Sequence, residues 1–122
     1  MAASIRLDPA LLRGLRITWP DGWEDADGDA PLPTRLRVPA HIPDAGMYWG
    51  VVESAAIERY LGLAEPPTWR DYRAMEAVIE GALRGKFERQ EWDPELDAET
   101  SRPRVVLRAA DFQWHQVRRT RR

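Results

Sequence analysis

Cysteine is absent from the 122 residues, which removes disulfides, zinc–thiolate sites and thiol nucleophiles together. Lysine is nearly absent, with Lys86 alone against seventeen arginines. Histidine occurs only at His41 and His115, so two side chains at most titrate near neutrality without help from their surroundings. No apolar run approaches bilayer-spanning length, and Met1-Ala-Ala-Ser-Ile-Arg lacks the hydrophobic core of a signal peptide. The expectation is a cytoplasmic protein without membrane contact. Glycine-rich phosphate loops and dinucleotide fingerprints are missing too, because Gly81-x-x-x-Gly85 lies inside a charge-flanked amphipathic stretch. Abundant Arg, Ala, Asp and Pro suggest a GC-rich bacterial or phage coding sequence.

What charge there is falls unevenly. Residues 1–101 hold 11 basic and 19 acidic side chains, a balance of −8; residues 102–122 hold 7 basic and 1 acidic, a balance of +6, which together make the net −2. A basic end of this kind attracts a polyanion, or it docks on the acidic body or stays in solvent. Five carboxylates crowd residues 21–29 (Asp21, Glu24, Asp25, Asp27, Asp29) and raise a calcium reading. The spacing fails it: with Asp25 first, Ala30 stands where an EF-hand loop needs glycine and Leu36 where it needs glutamate. A solvated acidic loop is the better reading, and no metal or other cofactor is expected.

The stretch from Thr68 to Arg89 organises the rest. Pro66 and Pro67 stiffen the approach, Thr68 caps, and Asp71 stands at the capping-box position. Trp69, Tyr72, Met75, Ile79, Ala82, Leu83 and Phe87 then recur at helical spacing as one apolar stripe. Before it, Asp8-Pro9 opens a short helical turn that Gly14 ends, and Leu15-Arg16-Ile17-Thr18-Trp19 alternates as a half-buried strand. Arg35 to Val38 alternates again, with Pro39 expected to end that strand early or hold it at an edge. Met47 to Glu53 is a strand rich in aromatic and β-branched residues, Ala55 to Leu61 is a short helix ended by Gly62, and Arg104 to Ala109 is a closing strand. The acidic stretch 91–101 reads as loop. These elements predict one α+β domain over residues 1–117: a small antiparallel sheet of three to five strands, packed on one face by a long amphipathic helix (about 68–89) and a short helix (about 55–61). Residues 118–122 form a flexible basic tail.

With those residues placed, the chain resembles a family of short bacterial proteins known as a domain of unknown function. The residues that carry the likeness are Leu15-Arg-Ile-Thr-Trp19, Val51-Val52-Glu53-Ser54 with Ile57 and Leu61-Gly62, Met75 and Ile79 with Lys86-Phe87, and Val105 through Asp111-Phe112. The resemblance spans roughly residues 4–112 and implies a topology, with no activity to transfer. This chain differs in the acidic insertion around 20–33, the longer loop at 92–103 and the arginine tail.

Recognition is the expected trade. Six tryptophans are many for this length. Trp19 and Trp69 read as core and Trp49 as a strand residue. Trp23, Trp92 and Trp114 flank loops or the tail, where an indole anchors a partner. The leading expectation is therefore a non-enzymatic, protein-binding or regulatory domain, in one form an inhibitor or accessory protein of a mobile element. A second copy of the chain is a further candidate partner. The alternative is nucleic-acid binding through Arg118, Arg119, Arg121 and Arg122 beside Trp114. A third is a small enzyme using His41 or His115. Neither histidine has a neighbouring serine or aspartate in a triad arrangement, and no catalytic residue is assigned.

Overall fold

The structure is a computed structural model and describes residues 6–20, 23 and 25–112. Asp8 accepts a hydrogen bond from the Ala10 amide and opens α1 (Pro9–Leu12), with proline at the first helical position. Then come β1 (Arg16–Ile17), β2 (Arg35–Ile42), β3 (Gly46–Glu53), α2 (Ser54–Leu61), α3 (Trp69–Ala74), α4 (Glu76–Glu88) and β4 (Arg104–Leu107). Residues 109–112 add one helical turn. The class is α+β. No helix among the described residues is long and apolar enough to cross a membrane.

The strands lie in sequence order, β1-β2-β3-β4. β1 and β2, and β2 and β3, pair antiparallel, whereas β3 and β4 run parallel, so the sheet is mixed rather than wholly antiparallel. The reason is the connection. The chain leaves β3 through α2, α3 and α4 and re-enters on the same edge, and a helical crossover of that length returns a strand in the parallel sense.

β2 runs straight through Pro39 rather than ending early, and Pro39 stands where pairing with β1 has run out, a local edge as the other expectation had it. Pro39's carbonyl accepts from the Thr18 amide, on the β1 side. In an antiparallel pair the missing amide faces that same side, where β1 has already ended, so the ladder to β3 loses nothing.

The central helix is two helices. Thr68 and Asp71 form the expected capping box, the Thr68 amide donating to Asp71 Oδ2 at 2.8 Å. At Met75, however, φ is −100° and ψ 7°, and the helical run is interrupted there for one residue. No glycine or proline marks this point, and the Met75 amide still donates to the Asp71 carbonyl while its own carbonyl accepts from the Ile79 amide. Tyr72 meets Trp19 and Trp69 edge-on, both at ring separations below 6 Å, while Ile79, Leu83 and Phe87 continue into the main core.

One sheet face is that core. Leu36, Val38, Ala40 and Ile42 alternate inward along β2 and meet Tyr48 and Val52 of β3 and Val105 and Leu107 of β4. Gly50 lies between Val38 and Val105 in register, and Leu83 of α4 sits directly over it. A Cβ on Gly50 would lie 2.6 Å from Leu83 Cδ2, and Leu83 is fully buried. Gly50→Ala should therefore destabilise the protein by about 1–3 kcal/mol through overpacking. Shortening Leu83 to valine in the same chain should recover part of that loss, as read from urea unfolding midpoints. Two losses that simply add would show that the helix and strand do not touch there.

Candidate functional site

The opposite face of the sheet carries the chain's polar chemistry. Alternation that sends Leu36, Val38 and Ala40 inward sends Arg35, Arg37, Pro39 and His41 outward. Register then fixes their neighbours: Arg35 lies opposite Glu53, Arg37 opposite Val51, Pro39 opposite Trp49 and His41 opposite Met47. Arg104 and Val106 of β4 continue the Trp49 and Val51 rows.

Half of this face is closed by the chain's own acidic stretch. From Trp92 the backbone turns around β4, the Asp93 amide donating to the Arg104 carbonyl at 2.7 Å and the Asp97 amide to the Arg102 carbonyl at 2.9 Å. The loop so placed lies over Val51 and Arg104, enclosing a pocket of about 200 Å³ with Ala98 and Glu99. Two carboxylates hold it. Asp97 takes Arg37 in a bidentate grip, Nη2 to Oδ2 at 2.9 Å and Nε to Oδ1 at 3.2 Å, and also accepts from the Thr100 hydroxyl at 2.8 Å. Arg37 reaches Glu99 at 2.8 Å, and its guanidinium lies 3.9 Å over the Trp49 ring. Asp93 accepts from Arg108 at 3.1 Å and from Arg104 at 3.4 Å. Trp49 Nε1 and Arg104 Nε are buried here without a hydrogen-bond partner among the described residues.

Both aspartates are buried yet charged. Burial raises the Asp93 carboxyl, but hydrogen bonds from Arg108 and the Glu95 amide, with the charges of Arg108 and Arg104, outweigh it and leave it below its ordinary value. Burial raises Asp97 too, and the Thr100 hydroxyl and amide together with Arg37 likewise outweigh it. The acidic stretch 91–101, expected as loop, is thus the lid of a guanidinium–carboxylate clamp. Arg104 and Arg108, from the basic end, dock on acidic residues of the body.

The other half of the face is uncovered among the described residues. Arg16 of β1 pairs with His41, which pairs with Met47, so the three form one cross-strand row. All three are exposed, and Met47, at 42 %, is the most exposed large apolar side chain described. Thr18 and Pro39 lie in the next row. His41 makes no side-chain hydrogen bond or ion pair among the described residues.

The tryptophans singled out by sequence do not converge. Trp23 is half-buried, its ring 5.7 Å from that of Trp19, and its carbonyl accepts from Arg73. Trp92 packs between Tyr48 and Phe87 against the core. Trp114, His115 and the arginines 118, 119, 121 and 122 lie outside the described residues. The acidic 25–29 segment keeps its carboxylates in solvent while its backbone is pinned, Arg73 also donating to the Ala26 carbonyl and Arg70 pairing with Asp29 at 2.6 Å. No group of three or more His, Asp or Glu among the described residues could hold a metal ion. A groove of about 440 Å³ runs between α4 and residues 110–111; its buried charge, Lys86, already donates to the Val106 carbonyl at 2.8 Å and to Asp111 at 3.2 Å.

Compared with known proteins, the chain matches no family model, no curated protein sequence and no solved structure.

The clamp makes a pH-dependent prediction. Its carboxyls bind protons less readily folded than unfolded, so the clamp contributes fully above the unfolded value of about 4 and fades as pH falls through the lower folded values. Asp97→Asn should cost about 1–3 kcal/mol at neutral pH. The gap between its urea midpoint and that of the unaltered protein should shrink as pH falls below about 4 and through the lower folded value, where the folded aspartate takes up its own proton. A gap independent of pH would show that the Asp97 charge does not hold the loop.

Proposed function

We propose that this is a non-enzymatic recognition domain that binds a protein partner through the uncovered half of its outer sheet face. The observation that carries this reading is the Arg16–His41–Met47 row. It is exposed, partly apolar and rigidly mounted on paired strands, while the adjoining half of the same face is shut by the chain's own loop. Exposed apolar side chains set among polar ones on a rigid element suit partner binding. In this reading His41 is a contact residue and the clamp a scaffold that fixes the strands behind it. An inhibitor or accessory protein is the concrete form it takes.

Met47→Asp places a charge at the β3 end of the row without entering the core. Affinity capture from native lysate should retain a stoichiometric protein on the unaltered chain and lose it on the Met47→Asp chain, with no nucleic-acid absorbance at 260 nm in the eluate. Equal retention by both chains, or an eluate dominated by nucleic acid, would contradict the reading.

A further inference from the structure

The partner's chemistry is legible in the way the chain covers the first half of this face. The loop that closes it is an acidic segment, Glu91 to Glu99, whose Asp93, Asp97 and Glu99 carboxylates meet Arg37, Arg104 and Arg108, with Ala98 lining the pocket beside Val51. The uncovered half presents the same chemistry without its complement. Arg16 has no carboxylate partner among the described residues, His41 lies beside it, and Met47 and Pro39 supply apolar surface. The carboxylates of the loop and of β3 are committed to other arginines, and Asp44 in the β2–β3 turn stays exposed. Asp93, Asp97, Glu95 and Glu99 serve the clamp, Asp29 pairs with Arg70, and Glu53 sits between Arg35 and Arg108.

Resting on the proposed recognition role, we infer that the uncovered rows bind an extended acidic peptide segment of the partner, with an aliphatic residue between its carboxylates. The segment lies beside the chain's own loop and continues its pattern across β2 to β1. Charge complementarity decides between occupants. A carboxylate meets Arg16 in a bidentate fork, and an aliphatic side chain covers Met47. A nucleic acid offers phosphate to Arg16 but no aliphatic side chain to cover Met47. Arg16 and His41 sit on the open surface, so the attraction is screened by salt.

The test uses the full chain and three probes: a synthetic peptide of about twelve residues alternating Asp, Glu and Leu, the same peptide with Lys for the acids, and a single-stranded oligonucleotide of matching charge. The acidic peptide should bind saturably, shift the amide resonances of Arg16, His41 and Met47, and weaken with added salt. Arg16→Glu should weaken it at least about tenfold, equivalent to roughly 1.4 kcal/mol, with Arg16→Ala intermediate. Arg16 is exposed, so an unchanged circular dichroism spectrum accompanies either variant. Absence of saturable binding, shifts confined to other residues, undiminished binding by Arg16→Glu, or tighter binding of the Lys peptide or oligonucleotide overturns the assignment. If the capture experiment retains a protein that Met47→Asp loses while the acidic peptide fails, recognition by this face stands and its acidic-segment chemistry falls. If the capture fails as well, the recognition reading itself falls.

Discussion

Arg37 is held on three sides: Asp97 grips its guanidinium in a fork, Glu99 takes its remaining edge, and the Trp49 ring lies flat beneath it. Much of the outer sheet depends on this arrangement. A chain of this length builds helices on one face of its sheet and has little left to cover the other. Here a loop does that work, and it can do so because β2 and β4 turn arginines outward at the spacing the pleat imposes. Burying two aspartates is unfavourable unless their partners are close and their remaining lone pairs are filled. Arg37 and Thr100 do this for Asp97, and Arg108, Arg104 and the Glu95 amide do it for Asp93.

The same constraint rationalises the skewed basic composition. A planar guanidinium can fork to a carboxylate, stack on an indole and reach a second acid at once, which an ammonium cannot. Arg37 does all three. Lys86, the one lysine, stands where a compact charge suffices, joining the Val106 carbonyl to Asp111 at the β4 edge. Between Lys86 and the Asp93 amide, the carbonyls of Arg104 and Val106 are occupied, which protects that edge from pairing with another chain.

Much of the fold was legible because its signals are local. The Asp8–Pro9 start, the Thr68–Asp71 box, the Gly62 stop at φ 67°, the alternation that opens β2 and the aromatic and β-branched run of β3 each depend on a few neighbouring residues, and each stands in the structure. What stayed hidden depends on contacts distant in sequence. The parallel sense of β4 follows from where three helices return the chain. The tolerance of Pro39 follows from where β1 stops. The interruption at Met75 has no glycine or proline to announce it. The clamp was hidden for a further reason. A run such as Glu91 to Glu99 reads only as loop until the arginines that face it are placed, and those arginines come from positions 37, 104 and 108. Trp92 looked like a free anchor because its neighbours in sequence are acidic, yet its neighbours in space are Tyr48 and Phe87.

The proposed role follows from the boundary of the clamp. Where the loop covers the sheet, charge and apolar surface are both complemented from within the chain; past that boundary, Arg16, His41 and Met47 are held in the same geometry facing solvent. The most direct measurement of the account is a carbon-13 NMR titration of the Asp93 and Asp97 side-chain carboxyls. Both should release their protons below the ordinary aspartate range, because arginine and amide donors outweigh the effect of burial. Titration of both within the ordinary range would mean that the loop lies in solvent and that the outer face is open along its whole width.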